Sequence, residues 1–274
     1  MILDGKYAAA CIKEQLKQEI STLKYSLKLA IIHFNDGASA SYLKGRLKLV
    51  DELKIHIETY LIDIDKTTQD LQELIHKLNE DNTVHGIMID RPLPSKYNEQ
   101  EIISLISPKK DVDGYTPYNL GKLFSNQNCF LCATPMAAIR LLEFYNIDVS
   151  GKDVLIIGRS INVGKPLALI LLNKNATVTI AHSKTKNLKD KCQKAEIIFL
   201  AVGHANFLNK KDVNENTIIV DIGINYDEYG KLCGDASKDC YEIVKTYSPV
   251  PGGVGVLTNV VLMENLLKAA KQND

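Results

Sequence analysis

The sequence predicts an α/β fold: two α/β domains around a cleft, the second a Rossmann-type doubly wound parallel sheet. Three observations carry that expectation. Strand-like and helix-like segments alternate over the first hundred residues, which implies parallel strands joined by helical crossovers. The alternation resumes in shorter units from residue 152. That second block opens on DVLIIGRSINVGKP, residues 153–166, where a β-branched run ends at Gly158 and Gly164 opens a long apolar segment. The order is strand, tight turn, helix, and such a turn lets backbone N–H groups and the positive end of a helix face a phosphate. With two glycines the match to G-x-G-x-x-G is partial, and an ordinary strand-to-helix turn uses glycine in the same way.

In order, residues 6–20 read as a first helix and 27–34 as a strand, followed by a turn at 35–37. Ser39 can cap a helix running to Leu53, with Leu43, Leu47, Val50 and Leu53 as its apolar stripe and Tyr42 and Arg46 sharing another face at i and i+4. A second strand, 55–64, leads to Thr67 and Thr68, either of which can cap a helix buried through Leu71, Leu74, Ile75 and Leu78. The third strand, 84–89, runs into DRPLPS, where Pro92 and Pro94 stop the pairing. A helix near 98–106, a loop at 108–119 and a helix capped by Thr134, with Pro135 in its first turn, complete the first half. Strands are expected at 153–157, 177–181, 197–202 and 217–222. A final helix from Val256 to Lys271 should pack back on the first domain through Val260, Met263, Leu267 and Ala270.

Composition narrows the function. A chain of 274 residues, 45% hydrophobic, suffices for two modest domains. Thirty-three basic and 33 acidic residues cancel, so no overall field argues for nucleic acid or an anionic membrane, and neither partner is expected. The N-terminus enters a charged amphipathic pattern at once and no run approaches transmembrane length, so a cytoplasmic enzyme is expected. Cys129 and Cys132 have C-x-x-C spacing without a second pair, and the six histidines show no paired ligand spacing, so no metal is expected.

Four stretches could carry chemistry: SASYLKGRLK on a helix, DRPLP after the third strand, KKDVDG, and SPVPGGVGVLTN after the last strand. With S-x-x-Y at 39–42, PLP at 92–94, KDVDG at 110–114, GRS-x-x-VG-x-P at 158–166 and PVPGGVG at 249–255, the chain resembles the bifunctional methylenetetrahydrofolate dehydrogenase/methenyltetrahydrofolate cyclohydrolase family. T-x-x-H-S-x-T at 179–185 and DIGIN at 221–225 also match, and the resemblance covers nearly the whole chain. It implies a folate-binding catalytic domain (1–137 with 257–274), a Rossmann NADP-binding domain (138–256) and a homodimer formed through the latter. The implied reaction is oxidation of 5,10-methylenetetrahydrofolate, then hydrolysis of the methenyl product to 10-formyltetrahydrofolate.

The residues also read on physical grounds. The Asp113 carboxylate is an acceptor-only group suited to the paired N–H donors of a pterin, the role the resemblance gives it; otherwise it is a turn-forming Asp before Gly114. Tyr42 offers a ring to stack on the substrate and a hydroxyl to orient it, or is an amphipathic core tyrosine. Pro251, Gly252 and Gly253 leave room for close approach of ligand and backbone. For the cofactor the resemblance points to Gly158, Arg159, Ser160, Val163, Gly164, His182, Ser183, Thr185, Ala201, Val202, Gly203 and Ile224. Residues 177–186 contain no acid to hold ribose hydroxyls, while Arg159, Ser183 and Lys184 could bind a 2′-phosphate, which favours NADP over NAD. His182 and Ser183 could instead merely end a strand.

Two positions depart from the family pattern. Its Tyr-x-x-x-Lys lysine, assigned to proton transfer, is Arg46 here, and Lys44 and Lys48 point elsewhere on the helix. The glutamine expected to contact that lysine is Asp90, followed by Arg91. Arginine keeps its proton, whereas a desolvated lysine can act as a base. Hydride transfer asks mainly for positioning and should survive, while hydrolysis must deprotonate water and should weaken unless Asp90 serves. Val256 and Leu257, where the family usually has Pro-Met, are milder changes. Two other readings stay open: a catalytically impaired folate- or nucleotide-binding homologue, and a dehydrogenase acting on another substrate.

Overall fold

Parallel strands build both main sheets, as the strand and helix alternation requires. A computed structural model describes residues 1–34, 37–63 and 65–273, with side chains at all of these except 37–44 and 273. Along the chain run α1 (Gly5–Ser21), β1 (Lys28–Phe34), α2 (Gly37–Glu52), β2 (His56–Ile62), α3 (Thr68–Glu80), β3 (Gly86–Ile89), α4 (Glu99–Ser104), α5 (Pro117–Phe124) and α6 (Ala133–Phe144). There follow β4 (Asp153–Ile157), α7 (Gly164–Asn173), β5 (Thr177–Ala181), α8 (Leu188–Lys194), β6 (Ile197–Leu200), β7 (Ile218–Asp221), β8 (Asn225–Tyr226), β9 (Leu232–Cys233), β10 (Thr246–Tyr247) and α9 (Val254–Asn273).

One unit comprises Ile12–Ala133 with Leu262–Asp274. Its sheet has the order β2-β1-β3, and β1 pairs along its whole length with β2, from Lys28 opposite His56 to Phe34 opposite Ile62. The apolar run of β1 is buried because both its neighbours and the covering helices close on it; Ile32, Ile75, Ile87 and Ile102 are fully buried in one core. Thr67 starts α3 with a capping box: its hydroxyl accepts from the Asp70 N–H at 3.1 Å, and the Asp70 carboxylate accepts from the Thr67 N–H at 2.7 Å. The end of α9 belongs to this unit, where the Asn265 amide donates to the carbonyls of Val112 and Leu131 at 2.8 and 3.0 Å.

The other unit joins Met1–Cys11 to Thr134–Val261. Its five-stranded parallel sheet has the order β10-β7-β6-β4-β5. After β4 the chain goes to one side for β5 and to the other for β6, so the switch point lies at the carboxyl ends of β4 and β6. The N-terminus is sewn into this unit: the Leu3 N–H donates to the Tyr247 carbonyl and the Gly5 N–H to the Gly252 carbonyl, both at 2.8 Å. A Cβ at Gly5 would lie 2.0 Å from the Gly253 carbonyl oxygen, so only glycine fits. Asp4 caps α1 by accepting from the N–H groups of Lys6 and Tyr7.

Several expected boundaries shift. The stretch 108–119 is not loop throughout: Thr116 caps α5 by accepting from the Asn119 N–H, with Pro117 at its first position. The helix expected after a Thr134 cap starts at Ala133, which puts Pro135 third, where a missing N–H leaves no intrahelical bond unmade. Similarly, α2 begins at Gly37, ahead of Ser39, whose side chain, like the turn residues Asn35 and Asp36, lies outside the described residues. The last helix begins two residues early, at Val254. Among the described residues no helix is long and apolar enough to cross a membrane.

Candidate active site

In the loop after α4, each residue of KDVDG has a separate task. The Lys110 ammonium donates to the carbonyls of Leu78, Asn79 and Asp81 at 3.0, 2.7 and 2.8 Å, closing the C-terminal end of α3. Asp111, buried, accepts from the N–H groups of Gly114, Tyr115 and Thr116 and from the Asn119 amide. Val112 is in the core. Gly114 has φ +75° and no room for a Cβ, which would lie 2.6 Å from the Leu131 carbonyl carbon. The turn-forming aspartate is therefore Asp111, which corrects the alternative reading of Asp113. The Asp113 carboxylate takes none of these donors and faces Arg91, Nη2 to Oδ2 3.4 Å. Burial pushes its carboxyl up, Arg91 and Arg46 pull it down, and Asp111 and Asp90 push it further up.

Asp90 and Arg91 follow β3, where the Asp90 N–H still donates to the Ile32 carbonyl at 2.8 Å. Arg46, on α2, places Nη1 2.8 Å from Asp90 Oδ1, with both side chains 6% exposed. The other Asp90 oxygen is buried without a hydrogen-bond partner among the described residues. Arg46, Asp90 and Asp113 thus come together in one unit. The side chain of Tyr42 lies outside the described residues.

The other unit assembles the candidate dinucleotide residues at the carboxyl ends of its strands. Gly158 has φ +137°, and a Cβ there would lie 2.3 Å from the Ala201 carbonyl oxygen; one on Gly164 would lie 2.3 Å from the Gly158 carbonyl oxygen. Both glycines are required for the close passage of the turn past β6 and into α7. The Ser160 hydroxyl accepts from the Val163 and Gly164 N–H groups at 3.1 and 3.5 Å, shaping the turn, and Arg159 is exposed beside it. At the end of β5 the His182 N–H donates to the Thr185 hydroxyl and the Thr185 N–H to the His182 carbonyl, which leaves Ser183 and Lys184 exposed on a tight turn. Pro251, Gly252 and Gly253 belong to this unit, against the N-terminal residues. Cys129 and Cys132, in the other unit, are free thiols pushed up by burial, which makes them poor thiolates.

Two aspartates escaped sequence reasoning as site-builders. Asp235 is fully buried and accepts from the N–H groups of Val202, Gly203 and His204 at 2.6, 3.2 and 2.9 Å and from the Asn225 amide at 2.9 Å. It fixes the loop that the resemblance assigns to the cofactor, and Asn225 ties it to the segment bearing the exposed Ile224. The available signal was an isolated carboxylate after Gly234 in a polar stretch, a residue type that bonds loop backbone. Asp221 in turn accepts from the N–H groups of Gly223, Asp235 and Ala236.

Burial pushes the Asp221 carboxyl up to about 7, against those three bonds and with Asp235 adding to the push. The folded chain holds this proton more tightly than the unfolded one, whose aspartates titrate near ~4. The stability it contributes is full below about pH 4 and is lost as pH rises through about 7. Asp221→Asn is therefore expected to flatten the decline of Tm across that window. Parallel Tm-against-pH curves for the two proteins would contradict the assignment.

A glycine turn at the switch point of a parallel five-stranded sheet, with a loop clasped beside it, defines a dinucleotide-binding protein. The chain belongs to the tetrahydrofolate dehydrogenase/cyclohydrolase family: residues 3–113 match its catalytic domain and residues 132–274 its NAD(P)-binding domain. It is similar to the bifunctional protein FolD of Bacillus subtilis, 41% identical over 276 residues that cover 99% of this chain and 98% of that one. Bifunctional FolD methylenetetrahydrofolate dehydrogenase/cyclohydrolase from Campylobacter jejuni has a closely similar structure, with TM-score 0.97 and 40% identity over 99% of both chains. The Trypanosoma brucei methylenetetrahydrofolate dehydrogenase-cyclohydrolase, solved with NADP and an inhibitor, gives TM-score 0.93 at 27% identity, over 99% of this chain and 97% of that one.

Proposed function

We propose that the chain oxidises 5,10-methylenetetrahydrofolate with NADP and hydrolyses the methenyl product to 10-formyltetrahydrofolate only slowly. Membership of the family supports both steps, and the observation that sets their balance is the 2.8 Å ion pair between Arg46 and Asp90. Bound NADP supplies the hydride acceptor. The chain's own part in oxidation is to hold the folate, by the Asp113 carboxylate and the Tyr42 ring, and to exclude disorder at the reacting carbon. Hydrolysis asks more, because a water must lose a proton. A guanidinium cannot take it, and one oxygen of Asp90 is already committed to Arg46.

The turn fits a dinucleotide by its backbone path: Gly158 and Gly164 let it pass tightly by Ala201 and into α7, the arrangement that presents helix N–H groups to a phosphate. Arg159, Ser183 and Lys184 are exposed at the ends of β4 and β5, and no carboxylate lies in 177–186 to repel a 2′-phosphate, which supports NADP over NAD. The protein works as a cytoplasmic homodimer joined through the Rossmann unit, whose edge strand β5 has one side unpaired among the described residues and carries the exposed Ile180.

The test supplies methylenetetrahydrofolate with NADP or NAD and follows methenyl formation and decay separately. Formation is expected to favour NADP by about tenfold or more, the scale of one charged contact, and methenyl should accumulate. Fast decay that disappears in Asp90→Asn would transfer the base's role to Asp90 and overturn slow hydrolysis.

A further inference from the structure

Arg91 is a charged residue held where the folate ring would be read. Its guanidinium carbon lies 3.6 Å from the centroid of the Tyr115 ring, and its Nη2 lies 3.4 Å from Asp113 Oδ2, with side-chain exposures of 15% for Arg91 and 16% for Asp113. The stack fixes the plane of the guanidinium, because Tyr115 is buried and its N–H is bound by Asp111. We propose that Arg91 is a positioning residue for the pterin, acting through Asp113, whose carboxylate it aims. This rests on the reading of Asp113 as the pterin's ligand.

The charges around Asp113 come from several elements: Arg46 from α2, Asp90 and Arg91 after β3, and Asp111 from its own loop. Tyr115 and Cys132 also face it. Burial is the largest influence and favours the protonated acid, and Asp111 and Asp90 add to it. Arg91 is the strongest opposing influence. Without it the carboxyl would more readily hold a proton and so lose an acceptor that a pterin's N–H donors need. The couple also has a shape. A pterin edge sets N–H donors next to a ring carbonyl, and a carboxylate beside a guanidinium sets acceptors next to donors. This order suits a 2-amino-4-oxo ring.

The experiment compares Arg91→Met, Arg91→Lys and Asp113→Asn, each first checked for an unchanged thermal melt and for KM toward NADP. In Arg91→Met the KM for methylenetetrahydrofolate should rise about 10- to 100-fold, the scale of one charge-assisted bond, with kcat and the KM for NADP little changed. The acid limb of its kcat/KM profile should move to higher pH. Arg91→Lys should return that limb toward the parent, since charge is kept, but recover only part of the KM, since the planar stack is lost. An unmoved folate KM or acid limb in Arg91→Met, or a KM for NADP rising in step, overturns the assignment. Asp113→Asn separates the two ideas. If it leaves folate KM alone, the pterin reading fails and the Arg91 role with it; if it raises folate KM while Arg91→Met does not, only the role of Arg91 fails.

Discussion

Arg46→Lys combined with Asp90→Gln is expected to raise methenyltetrahydrofolate hydrolysis by about 10²–10⁴-fold, the range general-base catalysis supplies, with methylene oxidation little altered. The two changes have to be made together. A lone lysine at 46 would face the Asp90 carboxylate, which now sits 2.8 Å from the arginine, and an adjacent carboxylate stabilises the ammonium over the neutral amine that could act as base. Glutamine removes that charge and still offers an oxygen and an amide to orient the new side chain. Following methenyl decay against NADPH formation in the same preparation gives an internal control for folding and folate binding. A double variant that hydrolyses no faster than the parent would mean that the guanidinium is not what holds the second activity down.

Arg46→Ala is expected to destabilise the protein by about 3–5 kcal/mol, the cost of leaving a buried charge without its partner. Asp90 is almost wholly buried, and its second oxygen already lacks a hydrogen-bond partner among the described residues, so little water can come to its aid. Arg46→Ala with Asp90→Ala should recover much of that loss, since the stranded carboxylate goes with its counter-ion and the remaining cost is a cavity. Urea unfolding of the parent, the single and the double variants closes the cycle. A cost below about 1 kcal/mol for the single change would place the pair among surface ion pairs and contradict its burial.

How much of this was legible in the sequence varied with the physics of each segment. The strands at 153–157 and 177–181 stand at their expected residues, because β-branched runs bounded by glycine or polar residues leave little choice. Helix α5 was missed although Thr116 and Pro117 are a cap and a first helical position, since the loop-forming residues before them dominated the reading. Strand β10 has two residues, held by its pairing with β7 and by the backbone of Met1 and Leu3, so no local pattern could announce it. At the site, DVDG shows two aspartates in alternation, and only the hydrogen bonds distinguish Asp111, which organises the turn, from Asp113, which leaves it. The Arg46 and Asp90 pairing was readable because their departures from the family pattern fall at one contact. Arg91 over Tyr115 depends on a cross-loop approach that spacing does not encode.

The backbone bonds from Leu3 and Gly5 to Tyr247 and Gly252 also bear on biosynthesis. Leu3 and Gly5 are synthesised long before their neighbours, which lie more than two hundred positions downstream. Until the ribosome has passed residues 247 to 252, the segment around Leu3 has exposed amides and an apolar side chain to shield, and ring closure over so long a stretch is entropically slow. Nascent chains stalled before residue 247 should therefore stay protease-sensitive around residues 3 to 5.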